Sequence, residues 1–543
     1  MFTRAALGHA ACFRITARGH GVFAAALNQV RQVQEQLLRR QLAAGMATEH
    51  GRQLGLRPDM GLAGFKQAAP ITDYSDWCDL VEHQRSTGAR VLTDQPCERY
   101  QPTSGSTSAV KWIPYNPRFL KQIDCAVEPW VHDLYACEPR IRRGRHYWSL
   151  SWVPTSRRAH MDANISDDTA LMPWSKRLFL SATHAVPPWV AYTPGSLDSL
   201  FASLCYLSAC KDLSLISVWS PTFALKLLEG LSEHREQVAQ SLHSADWGPR
   251  RQAMGKQRCP ENKRAAALLR AWDGALEPAF FKRLWPHLGL ISAWDTSTSA
   301  QWAARLRQLL PHARFQGKGL WATEGVVTIP FQGVHVLAVR SHFYEFRDLG
   351  NGETVPAWLL EKGQQVQPVL TTGNGFLRYA LRDRLRVTGF LGGCPTFNFM
   401  GRLEGIDMVG EKLDPEEVEC AMTAIAEPGA RPMTLFGIPS GDIHHRPFYL
   451  LLCEGVSTGE GENQMAARLE GVLRNYFHYE LARDLGQLGP VRCMVSERAR
   501  EVYAYRAEQR GMVAGDMKID PLVLWDCELH PLLQAHTDEG MAA

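Results

Sequence analysis

Gly317-Lys318-Gly319-Leu320-Trp321-Ala322-Thr323-Glu324-Gly325 runs directly into an apolar stretch, residues 326–331. Its glycines permit close approach of backbone to a ligand. A Thr-Glu pair at a loop tip can offer a hydroxyl to phosphate and a carboxylate to Mg²⁺, a hard cation that takes oxygen ligands. In isolation an ordinary turn with a solvated Glu reads the same way, so the surroundings must decide. From residue 288 to residue 399 short apolar runs alternate with Gly and charged turns, among them 326–331, 334–339 and 366–372. These read as strands of one or more sheets, with the Thr-Glu tip between two of them.

Four further segments carry chemistry. Thr103-Ser104-Gly105-Ser106-Thr107-Ser108-Ala109-Val110-Lys111 packs hydroxyls and a glycine into a short loop that ends in a lysine. Such a loop can wrap an anion with backbone N–H groups while hydroxyls and a cation neutralise phosphate charge. It is not a Walker A loop, which needs G-x-x-x-x-G-K-[ST]. Asp383 follows Arg378-Tyr379-Ala380-Leu381-Arg382 and can accept both hydroxyls of a ribose, or form a surface ion pair with Arg378 or Arg386. Gly401-Arg402-Leu403-Glu404 leads to Gly410-Glu411-Lys412-Leu413, a hinge with a cation beside it or a solvated helix start. Lys518 lies in Gly515-Asp516-Met517-Lys518-Ile519-Asp520-Pro521 near the end of the chain.

The remaining sequence sets the organisation. Phe23, Leu27, Val30, Val33 and Leu37 recur at helical spacing and predict one amphipathic helix to about residue 41. Residues 189–231 mix apolar helices with small residues, and the basic stretch 250–263 reads as an exposed loop. After Arg402 the pattern predicts helices over 415–426 and 465–485 and near Val502, with strands over 433–438, 448–453 and 491–495. That is a compact α+β domain of about 140 residues.

With 543 residues the chain holds two or more packed domains, and a net charge of +3 excludes a strong field for nucleic acid or anionic lipid. Thirteen dispersed cysteines without a C-x-x-C pair read as reduced core thiols and not as a zinc site or disulfide framework. No stretch reaches the roughly 18 apolar residues of a membrane span. Arg4, Arg14 and Arg18 without an acid give the first 22 residues a transit-peptide flavour. Lacking a long apolar run, that segment reads as a helical lead-in to a cytoplasmic protein.

In this order and spacing the five segments resemble the adenylate-forming superfamily. Their wording resembles one branch, the acyl acid amido synthetases of the Gretchen Hagen (auxin-responsive promoter) family, its bacterial members in particular. The strings that carry the resemblance are 316–325, Ser341-His342-Phe343-Tyr344-Glu345-Phe346, Leu370-Thr371-Thr372-Gly373 with Arg378-Tyr379, Val387-Thr388-Gly389-Phe390 and Gly410-Glu411-Lys412-Leu413. Val218-Trp219-Ser220-Pro221-Thr222-Phe223 is similar to the family's apolar helix near the acyl pocket.

The resemblance implies a mixed α/β and α+β adenylate-forming fold. A large N-terminal domain over 1–402, β-sheet or barrel wrapped by helices, would bind ATP and the acyl acid. A small mobile α+β domain over 403–543 would carry the late lysine. Residue by residue it implies that Ser104, Gly105, Ser106 and Thr107 hold the triphosphate, beside the cation Lys111. Thr323 would contact the α-phosphate and Glu324 would ligate Mg²⁺. Gly319 and Leu320 would lie against the nucleotide, Asp383 on its ribose and Arg402 beside it at the hinge. Lys518 would swing in to the acyl carboxylate and α-phosphate, making Lys518, Glu324 and Thr323 the catalytic set.

The implied activity is that of an AMP-forming carbon–nitrogen ligase joining a carboxylic acid to an amine or amino acid, in specialised metabolism, as a cytoplasmic monomer with neither nucleic acid nor membrane as partner. The acyl pocket is expected from residues 219–231 with Trp130 and Trp152, which suits an aryl or other apolar acid. Some positions depart from the family pattern. Leu320 stands where plant members carry an aromatic residue, Ala380 and Arg382 alter the usual Tyr-Arg-x-Gly-Asp, and Ser108 and Ala109 replace glycine. Two alternatives stay open: transfer of the acyl group to coenzyme A or a carrier thiol, and a non-catalytic nucleotide-binding homologue.

Overall fold

Short, largely buried apolar runs bounded by glycine and charged turns build the sheets of this computed structural model. It describes residues 4–103, 111–149, 183–403, 405–426, 429–440, 445–456, 459–509, 519–525 and 528–533. An antiparallel hairpin comes first, β1 (Arg99–Thr103) with β2 (Lys111–Tyr115), and its register sets Thr103 opposite Lys111. Four parallel strands follow: β3 (Arg145–Trp148), β4 (Leu213–Ser217), β5 (Leu290–Ala293) and β6 (Arg314–Gly317). Parallel neighbours need long crossovers, and helices Ser196–Ala209, Pro221–Glu233 and Ala300–Leu309 lie in those connections. Both faces of this sheet are covered. Tyr147, Ile216 and Ile291 share a core with the crossover helices, while Trp148, Leu215 and Leu290 join the other large core.

That other core lies under an eight-stranded sheet. The short hairpin β7 (Trp321–Ala322) and β8 (Gly325–Val326) leads to β9 (Thr328–Phe331), β10 (Val334–Leu337), β11 (Phe343–Asp348), β12 (Thr354–Pro356), β13 (Gln365–Thr371), β14 (Tyr379–Ala380), β15 (Asp383–Leu391) and β16 (Cys394–Arg402). The larger sheet runs in the order β12-β11-β13-β15-β16-β10-β9, with β14 added on β13. The expected single helix over 23–41 is two, Arg4–Ala26 and Val30–Met46. The break has a cause: the Leu27 carbonyl accepts the Gly393 N–H at 2.9 Å, and the chain turns there against the β15–β16 corner. Gln34, buried on the second helix, donates to the carbonyls of Val339 and His342 and accepts the Tyr344 N–H, each within 2.9 Å. Residues 250–263 are not simply an exposed loop, since helix Arg251–Met254 forms there and Met254 is buried.

The described residues up to Thr103 and from Lys111 to Gly401 form one compact unit, and those from Arg402 onward belong to a second. The second unit has a four-stranded sheet of β17 (Ala430–Ile438), β18 (Phe448–Gly455), β19 (Arg492–Ser496) and β20 (Leu522–Leu524), in the order β19-β18-β17-β20. Leu435 and Leu451 pack on one face, Phe436 and Leu450 on the other. The helix expected over 465–485 is also two, Glu460–Leu473 and Phe477–Asp484. Between them Tyr476 is extended. The Glu470 carboxylate accepts from Arg474, Arg483, Tyr479 and the Val491 N–H at 2.6 to 3.1 Å, fixing the angle between the helices. Glu411 is wholly buried, accepting the N–H groups of Met408 and Val409 at 2.8 Å and the Tyr449 hydroxyl at 2.6 Å. Burial, with Asp407 nearby, pushes its pKa up to about 7. Among the described residues all the cysteines are free thiols, and no helix is long and apolar enough to cross a membrane.

Helix Arg4–Ala26 carries a buried histidine into the first unit. The His9 ring stacks on His146 at 4.1 Å, with Nε2 on the Gly144 carbonyl at 2.6 Å and Nδ1 on the Tyr135 hydroxyl at 2.9 Å. Burial lowers the His9 pKa from 6.5 to about 4, and drives His146 down as well. A histidine held neutral in this way contributes its full stability above pH 6.5 and loses it as pH falls towards 4. At about 1.4 kcal/mol per pKa unit the His9 shift is worth about 3 kcal/mol. Thermal midpoints should therefore fall between about pH 7 and about pH 5, with a shallower fall in His9→Gln; equal slopes would show that His9 does not drive the loss.

Candidate functional site

The 317–325 segment is a tight structure whose every turn is specified. Lys318 N–H donates to the Ala293 carbonyl at 2.9 Å, extending β6 beyond its end. A Cβ on Gly319 would stand 2.2 Å from the Thr328 carbonyl oxygen, so only glycine lets the chain pass. Leu320 then exchanges bonds with Thr328, its N–H donating to Oγ1 at 2.8 Å and its carbonyl accepting from Val327 and Thr328. Trp321 pairs with Val326 and Ala322 with Gly325, which leaves Thr323 and Glu324 as the two tip residues of a hairpin.

Two tyrosines brace that tip. The Tyr115 hydroxyl donates to the Thr323 carbonyl at 3.0 Å, and the Tyr379 hydroxyl donates to Glu324 Oε1 at 3.1 Å. Burial is the main cause that raises the pKa of both, and Glu324 adds to it. Both hydroxyls therefore remain protonated donors at neutral pH. Behind the tip, Gly325 lies against His342, whose Nε2 accepts the Val326 N–H at 3.2 Å. Its Nδ1 must then carry the proton and donate to Gln122 Oε1 at 3.0 Å, an oxygen that also accepts the Gly373 N–H at 2.7 Å. Burial holds His342 neutral, its pKa lowered to about 3.

Tyr379 is itself positioned by a buried ion pair. Arg378 holds Glu345 with two bonds, Nε to Oε2 at 2.8 Å and a terminal nitrogen to Oε1 at 3.2 Å, and its third arm donates to the Ala69 carbonyl at 2.9 Å. Lys66 adds a second cation 3.6 Å from Glu345. The Arg378 backbone is left-handed, at φ 49°, a conformation costly for a side-chain-bearing residue and retained only where surroundings enforce it. The Thr371 hydroxyl on its N–H and the Thr72 bonds to Arg378 and Ala380 do so. Of the two surface partners the sequence offers Asp383, Arg378 and Arg386, the first is engaged elsewhere: its guanidinium turns inward to the buried Glu345 and the Ala69 carbonyl.

The sequence candidates fall as follows. Gly319, Leu320, Thr323 and Glu324 share the one turn. Asp383 opens β15, four residues after Tyr379, and Arg402 closes β16. Lys111 opens β2, its Nζ 5.5 Å from the Tyr74 ring. Ser104, Gly105, Ser106, Thr107, Lys518 and Trp152 lie outside the described residues. Tyr115, Gln122 and the inward roles of Glu345 and Tyr379 were not read from the sequence; the Ser-His-Phe-Tyr-Glu-Phe string marked the place without saying what it held.

An aromatic group stands at the carboxyl edge of the parallel sheet. Trp148, Ser217, Ser292 and Gln316 are in register across β3 to β6, so their side chains line one face. Two residues further along, Trp219, Trp294 and Lys318 form the next tier. Trp219 meets Trp294 at 5.7 Å and Trp321 at 5.9 Å, while Trp130 meets Trp148 at 6.0 Å and Trp321 at 5.4 Å. In open α/β sheets, ligands bind at the carboxyl ends of the strands. Trp321 joins this group to the Thr323–Glu324 tip two residues on.

This architecture is shared with solved proteins. It superposes on the GH3.15 acyl acid amido synthetase with a TM-score of 0.61 at 18% identity, over 95% of this chain and 94% of that one. It also superposes on the AtGH3.15 acyl acid amido synthetase in complex with 2,4-DB, with a TM-score of 0.61 at 19% identity over 97% and 95%. The fold is thus that of an acyl acid amido synthetase. Residues 20–315 match the GH3 family N-terminal domain and residues 335–402 the GH3 family central domain. The chain belongs to the GH3 family. Curated relatives include the indole-3-acetic acid-amido synthetases GH3.15 of Arabidopsis thaliana, 23% identical over 69% of this chain and 68% of that protein, and GH3.8 of Oryza sativa subsp. indica, 23% identical over 72% and 70%.

Removing one partner of a buried, hydrogen-bonded ion pair strands the other charge and costs about 3–5 kcal/mol. Glu345→Ala should therefore lower the urea-unfolding free energy by about that amount, while Tyr379→Phe, which removes one hydroxyl, should cost about 1 kcal/mol. A loss for Glu345→Ala no larger than that for Tyr379→Phe would refute the supporting role given to the pair.

Proposed function

We propose that this chain is an ATP-dependent acyl acid amido synthetase that makes an acyl-adenylate and passes the acyl group to an amine or amino acid. The observation that carries this reading is the braced Thr323–Glu324 tip in a chain of the GH3 family, whose named relatives are amido synthetases. In the first step a carboxylate oxygen attacks the α-phosphorus and pyrophosphate leaves. Two anions meet, so charge building at phosphorus must be neutralised by preorganised groups.

Thr323 offers its hydroxyl to the α-phosphate, and Tyr115 holds its backbone in place. Glu324 is fixed through Oε1 by Tyr379. Mg²⁺ commonly takes one or two carboxylates together with substrate phosphates, and one tip carboxylate suits that donor set. Bound there, the ion would neutralise the phosphates. Leu320 and Gly319 would line the nucleotide, Asp383 would take the ribose hydroxyls, and Arg402 would lie beside it. The loop of Ser104, Gly105, Ser106 and Thr107, with Lys111, would hold the departing phosphates, and Lys518 would neutralise the carboxylate and α-phosphate.

In the second step the amine nitrogen attacks the carbonyl carbon, the bond to AMP breaks and a proton leaves the nitrogen. His342 is no base for that proton, because both ring nitrogens are already engaged. Free cysteines accord with a reducing cytoplasmic setting, and a monomer serving specialised metabolism completes the reading.

Pyrophosphate release from ATP and Mg²⁺ across an acid panel, followed by mass spectrometry with an amine panel, tests it. Acid-dependent release and an amide product are expected. Thioester formation with coenzyme A in place of the amide, or no release with any acid, would contradict it. Lys518→Ala and Glu324→Gln should each slow release by about 10²–10³ with unchanged circular dichroism; near-wild-type rates would remove those residues from the catalytic set.

A further inference from the structure

The carboxyl edge of the parallel sheet holds polar atoms that its aromatic surroundings do not explain. Ser217 and Trp148 sit side by side in register on β4 and β3, both buried. Neither Ser217 Oγ nor Trp148 Nε1 has a hydrogen-bond partner among the described residues. Buried polar groups are normally bonded, and each one left over asks for an explanation. Their neighbour Ser292 is settled, donating to Gln316 Oε1 at 3.2 Å, an oxygen that also accepts from Trp130 at 3.1 Å. The leftover atoms are thus confined to the β3–β4 side of the row.

One tier further on, Lys318 is 3% exposed, and its Nζ lies 3.9 Å from the centre of the Trp219 ring and 5.5 Å from that of Trp130. An indole face attracts a cation, so the ammonium is held in the wall of the site. The wall therefore combines flat aromatic surface with an indole N–H, a hydroxyl and an ammonium. An indole N–H and an ammonium only donate, and a hydroxyl can donate. Such a set suits an aromatic body bearing an acceptor oxygen.

We propose that this face is the specificity-determining part of the acyl subsite, and that the substrate is an aryl carboxylic acid with a second oxygen acceptor on its ring, away from the carboxyl that is activated. The proposal rests on the adenylation reading above. Trp321, in contact with Trp130 and Trp219 and two residues before Thr323, puts the aromatic body beside the turn where the reacting carboxyl must lie. Ser217, Trp148 and Lys318 would read the distal oxygen. A site built to hydrogen-bond a substrate oxygen rejects the analogue lacking it far more strongly than a purely apolar pocket discriminates by size.

The test compares pyrophosphate release by the full chain with matched acids: para-hydroxybenzoate against benzoate, para-hydroxyphenylacetate against phenylacetate, and terephthalate as the anionic arm. Aliphatic acids of similar length serve as controls. The acceptor-bearing member of a pair should show kcat/KM about tenfold higher or more, expressed mainly in KM. Terephthalate outpacing the phenols would assign an anionic acceptor, and the reverse a neutral one. Lys318→Met and Ser217→Ala should each bring the ratio within a pair towards one. Ser217→Ala removes only a hydroxyl and carries the test if Lys318→Met does not fold. A wild-type ratio near one, unchanged ratios in both variants, or release with aliphatic acids alone would overturn this inference and leave the adenylation reading standing. No release with any acid would overturn both.

Discussion

The Glu345–Arg378 pair is the constraint on which the geometry of the first unit turns. Two charges are taken out of water and, among the described residues, satisfied by each other, by the Ala69 carbonyl and by Lys66. Such pairs are often no more stabilising than apolar residues of equal volume, so stability alone does not account for one. What it provides is position. Arg378 is locked in a left-handed conformation, the chain reverses, and Tyr379 arrives with its hydroxyl on Glu324. The carboxylate at the tip is thereby aimed from a strand it does not belong to.

Around that constraint the two sheets divide the work. The antiparallel sheet and its hairpin supply the Thr323–Glu324 tip, held from behind by Gln122 bridging His342 and Gly373. The parallel sheet ends in tryptophans and a buried lysine. The two meet at Trp321, which belongs to the aromatic group and whose strand leads into the tip. The braced Thr323–Glu324 turn and an aromatic, donor-bearing wall are so held side by side within one unit.

Much of this was legible in the sequence. Strand positions followed from short apolar runs bounded by Gly and charge, and the tip from Thr323-Glu324 between two glycines. The helix breaks near Leu27 and Tyr476 were not legible, because both depend on a distant partner, Gly393 in one case and the Glu470 hub in the other. Helical periodicity runs straight through each break. The partners of Arg378 were equally hidden: local spacing offers Asp383, whereas topology delivers Glu345, 33 residues earlier. Registered neighbours such as Trp148 and Ser217 share a face only after the parallel order β3-β4-β5-β6 is known.

In the proposed first step a carboxylate oxygen becomes bonded to the α-phosphorus of ATP. Turnover of an acid labelled with oxygen-18 in both carboxyl oxygens, with ATP, Mg²⁺ and an accepting amine, follows that bond. AMP is expected to carry one labelled oxygen and the amide to retain the other. Label found in pyrophosphate or inorganic phosphate, or unlabelled AMP beside a fully labelled product, would contradict that step.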